Sequence, residues 1–219
     1  MSAYGGCFHR SMEAFRPGDA LVVTDVQDDF LPGGRLAVPR GDEIVPLLDR
    51  AVRAAEAARI PVVATRDWHP PNHCSFHARG GPWPEHCVQG TSGAELTAAL
   101  RLPRSTVVVS KATNPEREAY SAFEGTELAK ILTGLGIRRI VIGGLTTEYC
   151  VKSTVADARA LGLDVLVLGD AIRAIDANPG DGGRAIADMI ARGARVVHTG
   201  DFASTSAASA TSSGATRTG

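Results

Sequence analysis

Six short apolar runs, rich in β-branched residues, recur along the chain: ALVVTDV (20–26), IPVVATR (60–66), STVVVSK (105–111), RRIVIGG (138–144), LDVLVLGD (163–170) and ARVVHTG (194–200). Near-continuous apolar runs of this length, without a regular polar face, mark strands buried on both sides. Between them, helical spacing predicts helices near 42–58, 125–135, 147–161 and 182–192. Strands that alternate with helices predict an α/β three-layer sandwich. Its sheet is mainly parallel, with about six strands, helices on both faces and right-handed crossovers. The domain so predicted covers residues 19–203. Residues 1–18 show no clear apolar period and are expected to form a flexible extension. The tail STSAASATSSGATRTG (204–219) is small and polar. It buries too little surface to offset the entropy of ordering, so disorder is expected there.

Composition narrows the function classes. The chain has 219 residues, 44% hydrophobic and 21% charged, an ordinary globular balance. A net charge of −1 offers no field for gripping nucleic acid or an anionic membrane. No apolar run approaches the roughly 20 residues that a membrane span requires. The opening MSAYGGCFHRSMEAFRPGDA lacks the apolar core of a secretory signal, so a cytoplasmic location with reduced thiols is expected. Cysteines at 7, 74, 87 and 150 show no disulfide-framework spacing, so each is filler, ligand or nucleophile.

In open parallel sheets, ligands gather outside the carboxyl ends of the strands. Asp25 ends the first apolar run, Asp67 follows the second, Lys111 ends the third and Cys150 lies just beyond the fourth. Four capable side chains are thus expected on one edge of the sheet. Cys150 falls in the first turn of a predicted helix, with Thr146 or Thr147 as N-cap, where unpaired N–H groups and the helix dipole favour a thiolate. The competing reading makes it a small buried apolar residue. No histidine accompanies Cys150 locally, so Asp25, raised toward a working pKa by desolvation, is the candidate base and Lys111 the charge partner. A purely structural Asp25–Lys111 ion pair is the alternative.

The segment TRDWHPPNHCSFHARGGPWPEHC (65–87) holds four of the six histidines, two of the four cysteines and both tryptophans. Asp67 and His69 stand at i and i+2 of an extended segment and point the same way, and His86 lies seventeen residues further on. Two imidazoles and one carboxylate leave positions open, as a catalytic metal site does. A saturated structural zinc would instead use Cys74 and Cys87 with His73 or His77, although that spacing matches no standard finger. Exposed loop histidines, anchored by Trp68 and Trp83, are the third reading. The glycine-rich LPGGRL (31–36) and NPGDGG (178–183) lack phosphate-loop spacing and read as turns.

The motifs VVTDVQDDFLPGGRLAV (22–38), ATRDWHPPNHCSF (64–76), GGPWPEHCVQGTSGAEL (80–96), SKAT (110–113), EAYSAFEGTELAKIL (118–132) and TTEYCVKSTVADA (146–158) resemble those of nicotinamidases in the isochorismatase-like cysteine hydrolase superfamily. The resemblance covers about residues 20–198. It implies hydrolysis of nicotinamide to nicotinate and ammonia, with pyrazinamide accepted as well. It implies a catalytic triad of Asp25, Lys111 and Cys150, and oxyanion donors from Thr146 and Cys150 beside a cis peptide at Leu145-Thr146. A divalent metal, zinc with iron or manganese as substitutes, is implied on Asp67, His69 and His86, with His73 as a fourth ligand in some members. Phe30, Leu36, Trp83 and Tyr120 match positions lining the ring pocket. Nicotinamide is then the partner, no nucleic acid or membrane is expected, and a homo-oligomer stays open. Ala122 stands where glycine is frequent, and Tyr149 where some members have histidine. Two rivals remain: another superfamily hydrolase (isochorismatase, N-carbamoylsarcosine or ureidoacrylate amidohydrolase), and a non-catalytic zinc-stabilised binding module with an inert Cys150.

Overall fold

The computed structural model describes residues 13–202; the predicted tail and residues 1–12 lie outside the described residues. Six strands form one sheet: β1 (Asp19–Thr24), β2 (Val62–Asp67), β3 (Val107–Lys111), β4 (Arg139–Leu145), β5 (Asp164–Arg173) and β6 (Arg195–Val197). All neighbours pair in parallel, in the order β3-β2-β1-β4-β5-β6. Four α-helices cover it: α1 (Val45–Ala57), α2 (Leu128–Gly134), α3 (Lys152–Ala160) and α4 (Asp181–Ala191). The three-layer α/β sandwich expected from the sequence is the fold observed.

Alternation along each strand feeds two cores. On β1, Leu21 and Val23 pack with Leu48, Ala51, Val52 and Ala55 of α1. Ala20 and Val22 face the opposite way, into a cluster with Leu128 and Leu132 of α2, Val155 and Ala158 of α3 and Met189 of α4. Both faces are therefore dry, and that is why the strands read as unbroken apolar runs.

Two elements differ from their sequence outlines. The apolar run predicts an end to β5 at residue 170, yet the strand continues to Arg173 because its register with β4 breaks between Ile142 and Gly144 and resumes as Gly144↔Ile172 and Leu145↔Arg173. The helix expected from 147 opens as a π-helical turn, Thr147–Val151, before α3 begins. At Gly144 (φ 130) a Cβ would strike the backbone of Thr24, so the close approach of β1 and β4 requires glycine.

Residues 13–18 pack on the domain. The ring of Phe15 lies 4.6 Å from that of Phe202, and the buried Arg139 guanidinium reaches Asp19 (2.6 and 2.9 Å) and the carbonyl of Ala14 (2.9 Å). Among the described residues, no helix is long and apolar enough to cross a membrane.

The strand order reverses direction between β1 and β4, since β2 and β3 lie to one side and β5 and β6 to the other. Such a switch point opens a crevice at the carboxyl ends of the strands. Asp25 leaves β1 and the Thr146–Cys150 turn leaves β4 at that point.

Candidate active site

Asp25 follows β1 directly and adopts φ 49, a left-handed conformation that aspartate tolerates better than most residues. Its N–H still pairs with Thr65 O (3.1 Å), and its Oδ1 accepts a 2.6 Å hydrogen bond from Thr65 Oγ1 on β2. Oδ2 lies 3.1 Å from Lys111 Nζ. Ala112 (φ 52) and Cys87 (φ 47) are also left-handed, so unusual backbone gathers around this crevice.

Lys111, the last residue of β3, is only 1% exposed. Its ammonium contacts Asp25 Oδ2, Cys150 Sγ (3.3 Å), the carbonyl of Ala119 (3.2 Å) and Asp67 Oδ1. Burial would discharge it, but the carboxylates of Asp25 and Asp67 outweigh burial and raise its pKa, so it stays cationic. One buried cation thus touches a carboxylate, a thiol and a second carboxylate.

Burial raises the pKa of Asp25, with Lys111 opposing and Asp67 adding to the shift. Burial also pushes the Cys150 thiol well above its ordinary value; Lys111 opposes, while Asp25 and Asp67 reinforce. The sequence suggests a thiolate at rest, stabilised by a helix start. The structure instead places Cys150 inside a π-helical turn, 4% exposed, beside two acidic groups, and desolvation wins. That direction favours the protonated thiol.

Asp67 divides its two oxygens. Oδ1 meets Lys111, while Oδ2 faces His69 Nε2 at 3.8 Å. Burial pushes this carboxyl up, but Lys111, His69 and His86 outweigh it and the net direction is down. Burial holds His69 neutral, its pKa down to about 3, with Asp67 opposing. The buried Nδ1 of His69 has no hydrogen-bond partner among the described residues. His86 donates from Nδ1 to the carbonyl of Pro84 (2.8 Å), which leaves Nε2 as the atom that could ligate a metal. Ligand atoms of Asp67, His69 and His86 lie within 4.8 Å of one another. A carboxylate, a neutral imidazole and an oriented imidazole suit a divalent cation.

His73 sits behind His69, with ring centroids 4.3 Å apart. Its Nδ1 pairs with Ser75 Oγ (2.7 Å) and its Nε2 with the carbonyl of Arg117 (3.2 Å), so it can ligate only by giving up a bond. Among the described residues, no group of three candidate ligands includes Cys74, Cys87 or His77.

A cleft runs past Cys150 to His69 and His86. Phe30, Leu36, Trp83 and Tyr120 line it, together with Asp67 and Thr146. Trp83 Nε1–H donates to Tyr120 Oη (3.0 Å), which fixes both rings. The peptide between Leu145 and Thr146 is cis. Three further residues, Glu118, Tyr149 and Ile175, line the cleft without having been expected there from the sequence. Tyr149 carries a usable signal, an aromatic next to a candidate nucleophile; its ring packs edge-on against Trp83 at 5.0 Å.

Comparison with known proteins gives this geometry its context. The isochorismatase domain model matches residues 19–201, nearly the whole described chain. The chain belongs to the isochorismatase family. Among relatives in that family, the nicotinamidase of Escherichia coli (strain K12) is 36% identical over 210 residues, covering 86% of this chain and 99% of the relative. The nicotinamidase of Acinetobacter baylyi is 39% identical over 181 residues, covering 73% of this chain and 83% of the relative. A crystal structure of the pyrazinamidase of Pyrococcus horikoshii in complex with zinc superposes with a TM-score of 0.80 at 51% identity, covering 83% of this chain and 99% of that one. Like these members of the isochorismatase family, the chain is an amidohydrolase.

Proposed function

We propose that the chain hydrolyses nicotinamide to nicotinate and ammonia through a thioester on Cys150. The observation that carries this reading is the seat of Lys111. Its ammonium joins Asp25, Cys150 and Asp67 directly behind a cleft narrow enough for an aromatic amide.

Asp25 Oδ2, which lies 3.1 Å from Lys111 Nζ, takes the thiol proton as Sγ attacks the carboxamide carbon. The Lys111 ammonium balances the charge that appears on sulfur. The carbonyl oxygen becomes an oxyanion, which the main-chain N–H groups of Thr146 and Cys150, two residues that line the cleft, stabilise. Asp25, now a carboxylic acid, returns its proton to the departing nitrogen, which leaves as ammonia. A water then enters and gives a proton to Asp25 as its oxygen attacks the thioester. Nicotinate leaves, and the proton returns to Cys150.

Asp67, His69 and His86 would hold a divalent ion, zinc in the first instance. When bound, such an ion supplies a Lewis-acid anchor for the ring nitrogen. The aromatic walls of Phe30 and Trp83 hold the ring flat so that the amide carbon meets Cys150. A ring nitrogen and a carboxamide are the features read, so pyrazinamide is a second substrate.

The test is ammonia release from nicotinamide by the purified protein with zinc, manganese or iron, after chelation, and beside Cys150→Ala. Metal-dependent release that the variant lacks supports the reading. No release with any metal overturns it and directs attention to the amides used by other hydrolases of the family.

A further inference from the structure

We propose that Asp29 is a positioning residue for His86, seated in a socket that only glycine at position 93 leaves open, and that it sets the affinity for a divalent metal on Asp67, His69 and His86. This rests on the metal reading above.

Asp29 lies four residues beyond Asp25, in the short 3-10 turn Asp28–Phe30, and its carboxylate is buried (residue 6% exposed). It makes no contact with the reacting groups. Instead Oδ2 accepts a 2.7 Å hydrogen bond from Cys87 N–H, and Oδ1 a 3.1 Å bond from Arg35 N–H. A buried carboxylate without such donors would be costly. With them it becomes a rigid anchor.

What it anchors is the peptide next to His86. Cys87 is fully buried and left-handed (φ 47), a conformation that a non-glycine residue keeps only where its surroundings impose it. Its N–H is held by Asp29, and its carbonyl accepts from His69 N–H (3.0 Å). The carbonyl of His69 in turn accepts from Gln89 N–H (2.8 Å). The Cys87 peptide is therefore the staple between the His86 arm and the Asp67–His69 arm. Asp29 holds the side of that staple that nothing else satisfies.

Gly93 makes the arrangement possible. A Cβ there would fall well inside van der Waals contact of both oxygens of the Asp29 carboxylate. Gly93→Ala must push the carboxylate away from Cys87 without touching any proposed ligand, so two separate substitutions probe one anchor.

The experiment measures zinc affinity by competition with a chromophoric chelator for the wild type, Asp29→Ala, Asp29→Asn and Gly93→Ala. Alongside it, the rate of Cys150 alkylation by iodoacetamide is followed by mass spectrometry in metal-free protein. Outer partners of metal ligands typically contribute about 10–100-fold in affinity, and a loss in that range is expected for Asp29→Ala and Gly93→Ala. Asp29→Asn keeps one acceptor oxygen and should lose less. Cys150 alkylation should match the wild type in all three, because the Asp29 carboxylate bonds to the backbones of Cys87 and Arg35 and, among the described residues, has no hydrogen bond to Asp25, Lys111 or Cys150. Wild-type affinity in Asp29→Ala or Gly93→Ala overturns the proposal, as does an affinity loss accompanied by altered Cys150 reactivity, which marks general damage. If Asp29→Ala fails to fold, the near-isosteric Asp29→Asn decides, and unchanged affinity there overturns the proposal. A wild type that binds no zinc overturns the metal reading and this inference together, an outcome distinct from the others.

Discussion

Thr65 Oγ1 donates a 2.6 Å hydrogen bond to Oδ1 of Asp25, and so turns Oδ2 toward Lys111 and the thiol. The two residues come from adjacent strand ends, and neither has an exposed atom to trade for water. The orientation of the proposed base is therefore set by the sheet.

That orientation has a pH signature. Asp25 must be ionised to accept the thiol proton, and burial raises its pKa above 3.8, the value of an ordinary aspartate. The acid limb of kcat/KM is expected above that value. The Thr65 hydrogen bond works against the shift, so Thr65→Val should move the limb further toward neutrality and Thr65→Ser should restore it. A limb at the ordinary value in a pH–rate profile would remove Asp25 from the role of base.

Lys111→Met should destabilise the fold by about 3–5 kcal/mol, the usual cost of leaving a buried charge unpaired. The sign with pH follows from Lys111 lowering both carboxylates. Without it both folded-state pKa values rise, the folded form takes up protons, and the variant's deficit shrinks as pH falls. The wild type behaves oppositely through Asp67, whose pKa is depressed: that contribution is present above the unfolded pKa and lost on acidification through the folded one. Urea melts at a series of pH values from neutrality to below 3.8, the ordinary aspartate value, separate the two slopes, and a deficit independent of pH would contradict the charge assignment.

Cys150→Ala removes the proposed nucleophile but leaves the aromatic walls intact. Turnover should fall by roughly 10³-fold or more, with nicotinamide still bound in a calorimetric titration. Retained turnover would exclude a thioester.

For His86→Ala, metal analysis after dialysis should show weak retention, and KM should rise by about tenfold or more, as expected when a metal site loses a ligand. An unchanged KM would mean that no ion holds the ring.

Much of the fold and of the site is legible in the sequence alone. The strands announce themselves because both faces of the sheet are covered, which removes polar residues from runs such as ALVVTDV and LDVLVLGD. Asp25, Lys111 and Cys150 stand out because they interrupt or follow such runs at the edge where parallel sheets bind ligands. Other features are not legible. The π-helical turn at Thr147–Val151 has the composition of an ordinary helix start, and its form is imposed by packing between β4 and α3. Glu118 and Ile175 enter the pocket from irregular segments without periodicity. Gln27 leaves a fainter trace, a polar residue two positions after Asp25. Its side chain donates to the carbonyls of Asp67 and Ala94 and accepts from Asp67 N–H, each at 2.8 Å, which imitates a missing strand. The elevated pKa of Cys150 escapes a reading of the chain because its largest cause is burial, and the sequence shows a helix start but not how deeply the thiol is enclosed.

Among the described residues β3 is an edge strand, paired only with β2, and its Val108 is 48% exposed; yet its last residue is Lys111. Edge elements open at lower free energy than central ones. Heat should therefore silence the enzyme before it melts, with activity fading at temperatures where the far-UV signal of the sheet is still native. Amide protons of Val107–Lys111 should exchange with solvent ahead of those of Asp19–Thr24.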